Sequence, residues 1–196
     1  MKGNKIINIA DPRVLKVPIL ESNDILVDLR EQDELAYGPV PESPLTKNHY
    51  TFVRKRVYEN LCQAQKSLPS GWHFRVYESF RSSKIQQMLF EQQYQKVLQK
   101  FPDKEREEIF YETTSLVSPV KNLDGTANIP AHNTGAAIDV EIIAKDGELI
   151  DMGMAIKDWQ KVNPDLCQTD YNLLDHDIMA RHDFVNYPTE WWHFSY

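Results

Sequence analysis

Between residues 135 and 143, Ile138, Val140 and Ile142 alternate with Ala137, Asp139 and Glu141. That period of two predicts a strand with unlike faces. Residues 72–78, Trp-His-Phe-Arg-Val-Tyr-Glu, alternate in the same way and are rich in aromatic and β-branched side chains, so they predict a second strand. A shorter apolar run at 24–30 and the aromatic segment from Glu190 to the C-terminus read as further strands. Lys145-Asp146-Gly147 predicts a hairpin turn into 148–150.

Elsewhere the period lengthens to three or four. Tyr50, Val53, Val57, Leu61 and Ala64 predict a helix starting near Thr46 and broken at Ser70-Gly71. Ile85, Met88, Leu89, Tyr94 and Leu98 mark a second helix over 82–101, which Pro102 separates from a charged helix over 103–112. A last helix is expected over 171–182. Three prolines between 38 and 44 make that stretch a loop, and 118–130 is a polar loop. Because strands and helices are interspersed and the hairpin is antiparallel, the fold class is α+β rather than a doubly wound sheet. Residues 1–45 read as an extended lead-in packed on a single domain.

Composition narrows the partners. The formal charge is −7, and no long basic run is present, which argues against nucleic-acid binding. No apolar stretch approaches the roughly 18 residues of a membrane span, so no membrane partner is expected. No secretory signal is evident, and the expected compartment is the cytoplasm, or the periplasm had a signal been removed. Cys62 and Cys167 are too few for a disulfide framework and match no metal knuckle, so they read as reduced thiols.

Two segments carry chemistry: His132-Asn133-Thr134-Gly135-Ala136-Ala137-Ile138-Asp139, and Glu190-Trp191-Trp192-His193. A catalytic zinc uses three protein ligands and keeps one open position, and two His with one carboxylate form a standard set. His132, Asp139 and His193 supply it. Asp139 lies on the strand face opposite Ile138 and Val140, and an aspartate on so apolar a strand is costly unless paired or metal-bound. Gly135, Ala136 and Ala137 leave room around it. Glu190 is the carboxylate available to collect a proton from an activated water. On a straight strand, positions 190 and 193 point to opposite faces, so either Glu190 sits on a bend after Pro188 or the strand is bulged. The alternatives from residues alone are a core histidine, a strand-ending aspartate and an aromatic core edge. A rival cluster, Asp175-His176-Asp177 with His182-Asp183, is spread over different helix faces and reads as a solvated helix end.

Together, His132-x-x-Gly135-x-Ala137-x-Asp139 and Glu190-Trp191-Trp192-His193 resemble the zinc D-alanyl-D-alanine dipeptidases of the VanX type (peptidase family M15), which share the hedgehog/DD-peptidase-like fold. The likeness runs from about Thr46 to Tyr196 and includes Asp146-Gly147-Glu148-Leu149 and Met152-Gly153. It implies a single α+β domain with a central, mostly antiparallel sheet flanked by helices, one Zn2+ per chain on His132, Asp139 and His193, Glu190 as general acid/base, and a small peptide substrate, D-alanyl-D-alanine first. It also gives Arg81, in Glu78-Ser79-Phe80-Arg81, the role of stabilising the oxyanion. Without the resemblance, Arg81 reads as a partner of Glu78 or a helix cap, and Arg75 as a surface residue.

The chain departs from that pattern at two positions tied to the substrate's ammonium. Pro130 stands where a Ser is usual, and Lys157 where an acidic residue is usual, with Asp158 next to it. Either Asp158 serves instead, or the free amino end is not recognised as in a strict dipeptidase. The alternative readings are a D,D- or L,D-carboxypeptidase acting on longer cell-wall peptides, and a non-catalytic zinc-stabilised binding module.

Overall fold

The computed structural model describes residues 7, 9, 11–41, 44–161 and 178–196. They fall into two compact units, one built from 23–81 and 131–196, the other from 1–22 and 82–130.

The first unit holds the β-structure. Its strands are β1 (Leu26–Asp28), β2 (Ala36–Tyr37), β3 (Phe52–Arg54), β4 (His73–Glu78), β5 (Ala137–Ile143), β6 (Val185–Tyr187) and β7 (Glu190–Ser195). β1 and β3 pair as a small antiparallel ribbon, and the other five form one sheet in the order β2-β4-β5-β7-β6. Among the described residues only the β2–β4 pair is parallel, so the sheet is mostly antiparallel as expected.

Strand parity decides where the core sits. Phe74 pairs with Ile142 and Val76 with Val140 across β4 and β5. These four, with Ile138 and Phe194, are almost fully buried in one cluster. Val57, Tyr58, Leu61 and Ala64, at helical spacing on the helix Lys55–Gln65, are buried in the same cluster. Burying each of the valine, leucine, isoleucine and phenylalanine side chains among them is worth roughly 1.5–3 kcal/mol.

That helix begins later than its periodicity predicts. Phe52-Val53-Arg54 pairs with β1 instead, so Tyr50 and Val53 are buried from a turn and a strand. A buried apolar position at spacing three or four does not by itself distinguish the two. Residues of the expected lead-in supply β1, β2 and two core side chains, Leu29 and Leu35. The expected turn at 145–147 is present, with Gly147 at φ 85°. Beyond it only an isolated bridge, Ile143 to Leu149, replaces the expected strand. Arg75 is not a surface residue: it forms an ion pair with buried Glu141 directly across β4–β5, its Nε donating at 2.9 Å.

In the second unit, Ser82 caps the helix Ser83–Lys100 by accepting from the Ile85 N–H, and a Glu105–Glu108 capping box opens the helix Arg106–Thr113. Their rings meet at Phe90 and Phe110, 5.4 Å apart. The buried face of the longer helix is Ile85, Gln86, Phe90 and Val97. Leu98, expected on that face, is exposed. Gln86 is buried there because its amide donates to the Ser118 carbonyl at 2.7 Å. No helix among the described residues is long and apolar enough to cross a membrane. Most of the helix expected over 171–182, Asp175, His176, Asp177 and Cys167 lie outside the described residues. Met179–His182 forms a 3-10 turn.

Candidate metal centre

The sheet brings the two motif segments together through β5 and β7. Asp139 is the register partner of His193, so their side chains leave the sheet on the same face. That face is opposite the one carrying Ile138 and Val140, as the alternation requires. His132 comes from a 3-10 turn, Ala131–Thr134, immediately before β5. Thr134 ties the turn locally: its hydroxyl donates to the Ala131 carbonyl at 2.6 Å and accepts from the Ala136 N–H at 2.9 Å. Gly135 then reverses the chain at φ 73°, where an added Cβ would lie 2.6 Å from a Leu26 methyl. Only glycine takes that conformation without cost.

Among the described residues, His132, Asp139 and His193 form a group whose donor atoms all lie within 4.8 Å of one another. His132 Nε2 is 3.4 Å from Asp139 Oδ2 and 3.1 Å from His193 Nδ1, and His193 Nδ1 is 3.0 Å from Asp139 Oδ1. Ligands held about 2.0–2.1 Å from a tetrahedral zinc stand roughly 3.3 Å apart, so these separations match one face of such a tetrahedron. The ring orientations fit as well. His132 Nδ1 lies 2.7 Å from the Ser79 carbonyl oxygen, which can only accept, so Nδ1 carries the proton and Nε2 offers its lone pair. On His193, the outer nitrogen Nε2 lies 3.4 Å from Ser195 Oγ. The donor set therefore fits a zinc ion.

Electrostatics agree. Burial works against a charge on Asp139, but the two imidazoles beside it, His132 first, outweigh it and hold the carboxyl well below the usual carboxylate range. Burial pushes the Glu190 carboxyl up to about 7, with Asp139 adding and His193 and Arg81 opposing.

Glu190 and His193 do reach one site. Glu190 Oε2 is 4.0 Å from His193 Nδ1. Of the two routes open from the sequence, the strand takes the bulge: β6 partners shift from Phe194 at Asn186 to Glu190 at Tyr187. Trp191 and Trp192 are consequently both buried, which a regular half-buried strand does not allow for neighbours.

A second irregularity lies on the other side of Asp139. The β4–β5 register slips between Val76 and Glu78, so Glu78 pairs with Asp139. Glu78 is buried and grips Arg81 through both carboxylate oxygens, the Arg81 Nε donating at 3.1 Å. The Arg81 N–H donates to the His132 carbonyl at 3.1 Å, and the Asn133 amide donates to the Arg81 carbonyl. Burial opposes the guanidinium's charge, yet Glu78, Asp139 and Glu190 together hold its pKa above the ordinary value. Arg81 thus pairs with Glu78, as the residues alone suggest, and sits within the field of Asp139 and Glu190.

Ser79, Ser195 and Asn133 were not legible as site residues. Ser79 and Asn133 act through a carbonyl and an amide on partners distant in sequence, and the Ser195 hydroxyl meets His193, two residues away, only through the geometry of the strand. Lys157 is exposed and Asp158 half-buried in a short 3-10 turn.

The family model of the D-ala-D-ala dipeptidases matches residues 42–196. The chain belongs to this peptidase family. A member of it, the chain is a metallopeptidase. It is 24% identical over 213 residues to a D-alanyl-D-alanine dipeptidase of Synechocystis sp., covering 92% of this chain and 85% of that one. Among solved structures, the LdcB LD-carboxypeptidase has the same fold, with a TM-score of 0.50 and 16% identity over 90% of this chain and 69% of that one. The VanY D,D-pentapeptidase in complex with Zn(II) scores 0.46, at 16% identity over 74% of this chain and 72% of that one.

Proposed function

We propose that this dipeptidase-family chain is a zinc-dependent hydrolase of short peptides ending in D-alanine, with D-alanyl-D-alanine as its first substrate. The observation that carries the reading is the buried trio of donors with a displaced carboxylate and a fixed guanidinium beside it. His132 Nε2, Asp139 and His193 Nδ1 would hold the ion. Zinc bound by three protein ligands supplies Lewis acidity and lowers the pKa of water to about 7.

The remaining work falls to the chain's own groups. Glu190 takes the proton of the attacking water and delivers it to the leaving amine nitrogen. A raised carboxyl pKa suits a group that must both accept and return a proton near neutrality. Arg81, locked by Glu78, presents its positive charge to the carbonyl oxygen as that oxygen becomes an anion. One such donor is worth roughly 3–4 kcal/mol of barrier. Ser79 holds His132 in its tautomer, and burial of the trio keeps bulk water from competing for it.

A second reading follows from Pro130 and Lys157. Neither offers a substrate ammonium a side-chain acceptor: Pro130 has no hydroxyl, and Lys157 repels a cation. This favours a carboxypeptidase cutting longer cell-wall peptides. A substrate panel separates the two. The dipeptidase reading expects free D-alanyl-D-alanine to be cleaved at least about a hundredfold more efficiently than its N-acetylated form or a capped tripeptide, the scale of losing one charged contact. A preference for the capped tripeptide would establish the carboxypeptidase reading. Failure of the zinc-loaded protein to cut any of them would overturn both.

A further inference from the structure

Between the pairs Asn186–Phe194 and Tyr187–Glu190, β7 carries three residues, Trp191, Trp192 and His193, that have no partner on β6. A bulge of this size interrupts the regular ladder of backbone hydrogen bonds. One side chain bridges the interruption. The Asn186 amide nitrogen donates to the Glu190 carbonyl at 3.0 Å, the His193 carbonyl at 3.0 Å and the Trp191 carbonyl at 3.3 Å. Only an NH2 group fits three acceptors. Its two protons are shared among them, and the contact to Trp191 is the longest.

The anchored carbonyls belong to the residues at both ends of the functional segment. Glu190 carries the proposed proton-transfer carboxylate, and His193 carries a proposed zinc donor. Without the bulge these two side chains would leave opposite faces of the sheet. We infer that Asn186 is a positioning residue: its amide holds the β7 backbone in the bulged form that brings Glu190 and His193 to one site. This rests on the function proposed above. Asn186 itself contacts neither the trio's donor atoms nor the Glu190 carboxylate, and acts through the backbone.

The test uses the full chain with Asn186→Ala and Asn186→Asp, and Val185→Ala, exposed on the same strand, as control. Asn186→Asp keeps the shape but sets acceptor oxygens against three carbonyl oxygens. Zinc affinity is read by competition with a chromophoric chelator, alongside kcat, KM and thermal midpoint. Both Asn186 variants are expected to weaken zinc about 10- to 100-fold, the range for groups that orient ligands, and to lower kcat by a similar factor with KM within about threefold. Asn186→Asp is expected to be the worse and the control unchanged. Variants that melt earlier yet keep zinc affinity and kcat within twofold would overturn the inference.

Should both variants fail to fold, the wild-type protein still decides. Its Asn186 side-chain amide protons should exchange with deuterium at least about tenfold more slowly than those of an exposed asparagine, and free exchange would contradict the bridge. A wild type that binds zinc but cleaves nothing refutes the proposed function, while the zinc affinities of the variants still report on Asn186. A wild type that binds no zinc refutes the trio, and amide exchange alone then judges the bridge.

Discussion

Glu190→Gln is expected to lower kcat for D-alanyl-D-alanine by about 10²–10⁴-fold, the range for removing a general acid–base group, while one zinc per chain is retained. The split follows from geometry. Glu190 Oε2 stands 4.0 Å from His193 Nδ1, outside the 3.0–3.4 Å spacing of the trio, so its loss is expected to remove no ligand. Glutamine keeps the volume and the hydrogen-bonding capacity but cannot accept a proton from water. A loss in kcat that leaves KM nearly constant would place the group in the chemical step rather than in binding. Turnover within tenfold of wild type would remove Glu190 from the mechanism. Loss of zinc in this variant would instead make it a fourth ligand.

Asp139→Asn should do the opposite and lose the metal. The substitution is nearly isosteric, so β5 and its buried neighbours are preserved. What disappears is the one negative charge between two imidazoles. In the wild type the carboxylate stays ionised although it is buried, because His132 and His193 compensate its desolvation. A neutral amide offers a zinc ion little, and the expected loss of affinity is at least about 10³-fold, on the order of 4 kcal/mol. Hydrolysis should vanish with it. Elemental analysis after dialysis against a weak chelator reads the result, and a full zinc equivalent remaining on Asp139→Asn would contradict the assignment of Asp139 as a ligand.

The two segments that build the site are legible in the sequence because each expresses a simple rule. Alternation along β5 predicts the polar face on which Asp139 sits, and the small residues Gly135, Ala136 and Ala137 mark the room beside it, though not the positive-φ turn that Gly135 makes. What alternation cannot express is an interruption of itself. The bulges in β4 and β7 bring Glu78 opposite Asp139 and Glu190 near His193; the first leaves no trace in the alternation, and the second shows only as the parity conflict between positions 190 and 193. What accompanies them is side-chain pairing: Glu78 with Arg81, three residues on, and the Asn186 amide with the β7 backbone.

The same limit explains the fold-level differences. Val53 is buried at a spacing that suits the following helix, yet pairing with β1 claims it as a strand residue. Leu98 lies on a helix whose buried face is instead set by Phe90, Val97 and a hydrogen-bonded Gln86. Arg75 has the composition of a surface residue, and only its register partner, Glu141, draws it in.

The most direct test is zinc-edge X-ray absorption on the purified protein, with metal content measured on the same sample. One zinc per chain is expected, with two histidine nitrogens and carboxylate or water oxygen at about 2.0–2.1 Å. That signal should disappear in Asp139→Asn and persist in Glu190→Gln. An active protein without stoichiometric metal, or a zinc spectrum with sulfur ligands or unaltered by Asp139→Asn, would contradict the trio as the metal site.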